Sequence, residues 1–167
     1  MLPQQRVDTV KASGLCGRGG AGFPTGIKWE TVFKAGGDQK FVVCNADEGD
    51  SGTFADRMLM EGDPFRMVEG MAICGVTVGA RYGYIYIRSE YPHAIAAMEG
   101  AIAQSREAGW LGADVGSSGI AFDMEVRVGA GAYVCGEETA LLNSLEGKRG
   151  IVRAKPPLPA LQGLFGK

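Results

Sequence analysis

Apolar and polar positions change their period several times along the chain, and each change marks an element. Val7 to Ala12 has the spacing of a short helix that Gly14 stops, and a second helix is expected from Gly26 to Lys34, closed by Gly36-Gly37. Lys40 to Cys44 is an apolar run with paired valines and predicts a buried strand. Asp63 as N-cap and Pro64 at the first helical position open a mostly apolar helix that continues from Phe65 to Gly79. Tyr84 to Arg88 alternates as a strand. Pro92 then opens a helix whose Ile95, Met98, Ile102 and Ser105 share a face, ending near Gly109. A third strand is expected at about Ile120 to Val128, and a last helix from Thr139 to Leu145.

Strands alternating with long helices imply a mainly parallel sheet covered by helices on both faces, because parallel neighbours need crossover connections. The expected class is α/β. From Arg153 the character changes to Lys155-Pro156-Pro157-Leu158-Pro159, so residues 1–152 read as the α/β domain and 153–167 as an extended proline-rich segment lying across it.

Composition narrows the function classes. With 46% hydrophobic and 22% charged residues the chain is an ordinary globular one, and a net charge of −2 without a basic run argues against nucleic acid. The longest apolar stretches, near Met71 to Ala80 and Val126 to Cys135, are short and broken by glycine, and the N-terminus does not read as a signal peptide. No direct membrane insertion and a cytoplasmic location are expected. Cys16, Cys44, Cys74 and Cys135 lack the short spacings of zinc or iron-sulfur ligands, so reduced thiols and no metal are expected. Met58, Met60, Met67 and Met71 read as core filler. The lone His93 offers little for acid-base chemistry. Glycine is the outlier at 27 of 167 residues, more than twice average usage.

The glycines gather in two loops, and both neighbour candidate chemistry. Gly17, Gly19 and Gly22 spell G-x-G-x-x-G, yet a helix precedes them and Pro24 follows, so an ordinary Rossmann turn is disfavoured; a loop packed on a flat, phosphate-bearing cofactor fits better. Arg18 and Lys28 could offset phosphate charge or simply be solvated. Asn45, Asp47, Glu48 and Asp50 crowd the end of a strand, where ligands bind in α/β sheets. Their carboxylates need donors such as ribityl or ribose hydroxyls, although plain turn chemistry explains them equally well. Gly129 to Glu138 repeats the arrangement, with Tyr133 as a flat polar lid. Glu137 and Glu138 stand at a helix start, where acids also suit the helix dipole.

Taken together, Arg18-Gly19-Gly20-Ala21-Gly22-Phe23-Pro24-Thr25-Gly26, Asn45-Ala46-Asp47-Glu48 and Gly131-Ala132-Tyr133-Val134-Cys135-Gly136-Glu137-Glu138-Thr139-Ala140-Leu141 resemble the FMN-binding subunit of respiratory NADH:quinone oxidoreductase and its soluble relatives. The resemblance runs from about Ser13 to Lys167. It implies a Rossmann-like FMN-binding domain in which Gly17, Arg18, Gly19, Gly20, Lys28, Asn45, Asp47 and Gly136 line the flavin. It further implies that Phe23, Asp50, Glu138 and Lys155 face the nicotinamide dinucleotide, with Glu48, Tyr133 and Glu137 near the flavin ring. Thr31 and Leu158 stand where family members often carry aromatics, which leaves adenine stacking to Phe23. Asp47 to Phe54 and Met58 to Phe65 look most like the flavin subunit of NAD-dependent formate dehydrogenase.

That family continues past the position of Lys167 into further flavin-binding residues and a domain with a four-cysteine cluster motif. The chain is therefore expected to be a fragment, with iron-sulfur centres only in the missing domain or in partner subunits, possibly beside a molybdenum formate dehydrogenase subunit. The implied activity is a diaphorase: hydride exchange between NAD(H) and FMN, with electrons passed to or from iron-sulfur centres. The respiratory or hydrogenase branch is the alternative within the family. A module that binds a nucleotide or partner without turnover is the alternative outside it.

Overall fold

The computed structural model describes residues Met1 to Lys167. Six helices and three strands follow one another as α1 (Pro3–Ala12), α2 (Thr25–Lys34), β1 (Phe41–Ala46), α3 (Ala55–Gly62), α4 (Pro64–Val78), β2 (Tyr82–Arg88), α5 (Pro92–Glu107), β3 (Asp123–Gly129) and α6 (Glu138–Leu145). The expected α/β class holds. All strand pairs are parallel in the order β1-β2-β3, in a register that sets Ala46 beside Ile87 and Ile87 beside Val128.

Local chemistry sets the helix ends. The Asp63 carboxylate accepts from the Arg66 N–H at 3.3 Å, Pro64 takes the first helical position, and α4 ends at Gly79 with φ 81°. β3 starts later than expected, at Asp123, because Phe122 pairs with Gly112 in an isolated bridge instead. Helix α3 carries no start signal of its own in the sequence. Its N-cap position, Phe54, offers no side-chain oxygen, and the cap comes from Glu48, whose carboxylate accepts from the Asp56 and Arg57 N–H groups at 3.0 and 3.2 Å.

Side chains alternate across the sheet, and the two faces are covered unequally. On one face Ala46, Ile85, Ile87 and Met124 pack with buried residues of α3, α4 and α5 in a cluster of 17 residues, against which Trp29 and Val32 of α2 lean. On the other, Tyr86 packs with Cys135, Leu141, Leu142 and Leu164 in a cluster of five. Helices do cover both faces as expected, but the second face has α6 alone and the C-terminal segment. The core-filler reading of the methionines holds for Met60 and Met71, which are buried; Met58 is 70% exposed because α3 turns it outward. No helix is long and apolar enough to cross a membrane.

Candidate functional site

Parallel register brings the C-terminal ends of β1, β2 and β3 to one side of the sheet, and the Asn45–Asp50 and Gly129–Glu138 loops leave from there. The two loops are joined directly. Asn45 donates from Nδ2 to the Gly136 carbonyl at 2.8 Å while its Oδ1 accepts from the Asp47 N–H at 3.2 Å. A Cβ on Gly136 would lie 3.3 Å from the Asp47 carbonyl oxygen, a tight contact that the loops could take only by giving a few tenths of an ångström. The Tyr133 ring lies so close over Gly49 that a Cβ there would meet it at 2.8 Å, and its hydroxyl donates to Asp50 at 2.7 Å. That bond to a carboxylate pushes the Tyr133 phenol up, while the ring stays 71% exposed, a flat lid over the acidic loop.

Asp47 has no hydrogen-bond donor for its carboxylate. Burial pushes its pKa up, and Arg88 opposes that shift. A partly desolvated carboxylate in want of donors fits the ribityl hydroxyls of a flavin.

Glu137 and Glu138 form a second group with Lys155. One oxygen of Glu137 accepts from the Thr139 N–H at 2.8 Å, the Ala140 N–H at 2.9 Å and the Thr139 hydroxyl at 2.5 Å, capping α6. Its other oxygen pairs with Lys155 at 3.0 Å, and Lys155 also reaches Glu138 at 2.5 Å. Burial alone would raise the Glu137 pKa. The donors outweigh it and hold the group at about 2. Glu137 is thus ionised and fully engaged, which suits a fixed charge better than a proton carrier. Its folded pKa lies below the usual glutamate value, so the stability it contributes is present above about pH 4.5 and lost as pH falls toward 2. Thermal unfolding of the chain and of Glu137→Gln should therefore differ most near neutrality, and the two curves should converge as pH falls through that window.

Glu48, expected near the flavin ring, has its carboxylate engaged within the protein. It is 8% exposed, it caps α3, and it accepts from the Tyr91 hydroxyl at 3.2 Å. Its carboxylate is turned into the protein and held there by three donors, which gives it a capping role in the fold. The residues that fasten it, Arg57, Arg88 and Tyr91, belong to none of the motifs; the position of Arg88 at the end of the central strand was the available signal.

The glycine loop closes on its own stem, with Gly17 N–H donating to the Phe23 carbonyl and Thr25 N–H to the Leu15 carbonyl, both at 2.9 Å. Gly19, Gly20 and Gly22 face open space, and φ values of 97° at Gly20 and 60° at Gly22 favour glycine. Arg18 and Lys28 form no ion pair, and Phe23 is 50% exposed. No hydrogen bond or ion pair joins this loop to the acidic loops. The structure thus brings Asn45, Asp47, Asp50, Tyr133 and Gly136 together, sets Glu137 and Glu138 at the start of α6 with Lys155 of the C-terminal segment paired to them, and leaves Gly17, Arg18, Gly19, Gly20, Phe23 and Lys28 as a separate wall of bare backbone and unpaired cations. An electropositive loop of exposed N–H groups fits a phosphate, and a donor-poor carboxylate fits a polyol.

Comparison with known proteins bears out the family resemblance. Residues 10–165 match the Nuo51 FMN-binding domain. The chain is 55% identical over 163 residues to an NADH-quinone oxidoreductase subunit of Rhizobium meliloti, covering 98% of this chain and 39% of that protein. It is 56% identical over 167 residues to the NADP-reducing hydrogenase subunit HndC of Solidesulfovibrio fructosivorans, covering 100% of this chain and 34% of that one. Among solved structures, an air-oxidised NAD+-reducing NiFe hydrogenase superposes with a TM-score of 0.87 at 40% identity, over 98% of this chain and 27% of its own. The chain thus spans well under half the length of these relatives. FMN and NAD(H), the cofactors expected from the sequence, are borne out by the family and by the names of its members. The chain belongs to the Nuo51 FMN-binding domain family.

Proposed function

We propose that this chain is the flavin- and nicotinamide-binding part of an oxidoreductase subunit that exchanges electrons with iron-sulfur centres elsewhere in a larger assembly. The observation that carries the proposal is the joining of the two strand-end loops around Asp47, an acceptor without a donor, under the Tyr133 lid. FMN, when bound, supplies hydride exchange with the nicotinamide and single-electron exchange with the iron-sulfur centres.

The chain's own residues then orient and screen. Asp47 accepts polyol hydroxyls, the exposed Gly17–Gly20 backbone with Arg18 and Lys28 receives the phosphate, and Asn45 locks the two loops at one spacing. Asp50, Glu138 and Lys155 present charge on the dinucleotide side. Tyr133, which could swing only by giving up its bond to Asp50, limits access of water. This division of labour needs no protein nucleophile, in keeping with a site that lacks histidine.

A narrower reading places a molybdenum formate dehydrogenase on the donor side, and it rests on Asp47 to Phe54 and Met58 to Phe65 alone. The relatives carry quinone oxidoreductase and hydrogenase names, which favours the branch treated as the alternative in the sequence. In either branch the full-length protein should purify yellow and bleach on anaerobic addition of NADH. Asp47→Asn should weaken FMN binding about tenfold, since a hydrogen bond to a charged group contributes about 1.5–3 kcal/mol. A colourless full-length protein that cannot be reconstituted with FMN would support instead a module that binds a nucleotide or partner without turnover.

A further inference from the structure

Beneath the acidic loop lies a set of side chains that the proposed chemistry does not use. Arg88, the last residue of β2, donates from Nη1 to the backbone carbonyl of Glu48 at 2.6 Å and from Nη2 to Glu90 at 3.0 Å. Its guanidinium stands 5.2 Å from the centre of the Tyr91 ring, and Arg57 stands 5.4 Å from the same ring. Tyr91 is buried and gives its hydroxyl to Glu48. The Glu90 and Ser89 side chains in turn lie within 3.7 Å of the place a Cβ would take on Gly131, so the cluster reaches both loops of the site.

We propose that Arg88 is a positioning residue for Asp47, fixing the acidic turn through the Glu48 carbonyl and keeping an opposite charge beside the carboxylate that faces the flavin's polyol. The inference rests on the flavin-binding reading given above. Geometry supports it first. The carbonyl that Arg88 holds is one residue from Asp47, and an arginine fork can hold it and Glu90 at once, which a lysine point charge cannot do as rigidly.

Electrostatics supports it second. The charged groups facing Asp47 are Arg88 and Glu90, with opposite effects on its ionisation, against a background of burial that favours the neutral acid. Tyr86, which also senses Asp47, is held neutral by burial that pushes its phenol up to about 12. The Glu48 carboxylate is turned away into its cap. Without Arg88 the Asp47 carboxyl would protonate at a higher pH. It would then stop accepting hydroxyl donors under conditions where the native protein still does.

The test is the FMN dissociation constant of the full-length protein, followed by flavin fluorescence across the acid range. The flavin phosphate titrates alike with every variant, so the comparison between variants isolates the protein's contribution. Native protein should lose affinity along an acid limb that Asp47→Asn abolishes. Arg88→Gln should move that limb up by about one pH unit, making binding several-fold weaker at a pH on the limb. Arg88→Lys should restore the limb to its native place even where overall affinity is lower. Tyr91→Phe, which keeps the ring between the two guanidiniums, should leave it in place. Glu90 is exposed, so Glu90→Gln tests the same charge pair with little risk to folding and should move the limb down. A limb unmoved by Arg88→Gln or by Glu90→Gln, or moved equally by Arg88→Lys or Tyr91→Phe, overturns the proposal. If native full-length protein takes up no flavin, the functional reading itself fails and this one with it.

Discussion

Replacing Asp50 by Asn together with Glu138 by Gln is expected to raise kcat/KM for NADPH by about tenfold or more in the full-length protein, with a far smaller change for NADH. A ribose hydroxyl can donate to a carboxylate. A 2′-phosphate carrying about −1.5 to −2 charge cannot, and two anions repel it. Unit charges about 4 Å apart interact by roughly 4 kcal/mol at an effective dielectric of 20, and about 1.4 kcal/mol is already tenfold. The structure adds a second contribution to the same variant. Lys155 is paired with Glu138 at 2.5 Å and with Glu137 at 3.0 Å, and removing the Glu138 charge leaves the ammonium with one carboxylate instead of two, so that its charge favours a phosphate more. Glu138→Gln alone should therefore exceed Asp50→Asn alone, whose partner is only the Tyr133 hydroxyl. Family membership leaves the 2′ position open, since one relative is named NADP-reducing and another NADH-quinone oxidoreductase. An unchanged NADH to NADPH ratio of kcat/KM in the double variant would move the reading of the 2′ position to other residues.

The second large effect belongs to the fold. Gly75→Ala is expected to destabilise the chain by about 2 kcal/mol or more, lowering Tm by about 4–8 °C. Its Cβ would stand 2.3 Å from the ring of Phe122, a fully buried residue that also presses on Gly83 between α4 and β2. Alanine improves helix propensity by about 1 kcal/mol over glycine, but a ring enclosed on all sides cannot yield, and overpacking wins. Gly70→Ala in the same helix meets nothing within 4 Å and should stabilise by up to about 1 kcal/mol. Thermal unfolding of the two variants side by side separates the effects. A Gly75→Ala chain as stable as the native one would show that Phe122 has room to move.

These residues also show where a sequence can be read and where it cannot. Asp63-Pro64 carried its helix start in adjacent positions, β1 announced itself by a short apolar run and β2 by alternation, because the determinants are local. Helix α3 was invisible for the opposite reason: its cap, Glu48, lies eight residues before the Asp56 amide it holds. The same non-local contact gives Glu48 a capping role that no local pattern announces. Asn45, Asp47 and Gly136 were legible as site candidates from their loops, but only the register of parallel strands shows that Asn45 bonds to Gly136, 91 positions away. Arg88 and Tyr91 carried no motif at all, and their roles follow from what the turn at Glu48 needs beneath it.

The unequal faces of the sheet bear on how the molecule breathes. Seventeen buried residues hold α3, α4 and α5 to one face, whereas five hold α6 and the C-terminal segment to the other. Opening free energies scale with the apolar contacts given up, so the α6 layer can lift in a local excursion well below the cost of global unfolding. That layer carries Glu137, Glu138 and the contact to Lys155, while Asp47 and Asn45 stay with the strands. The α6 side can therefore fluctuate while the strand side stays fixed, and under the proposed function this would let a dinucleotide exchange without releasing the flavin.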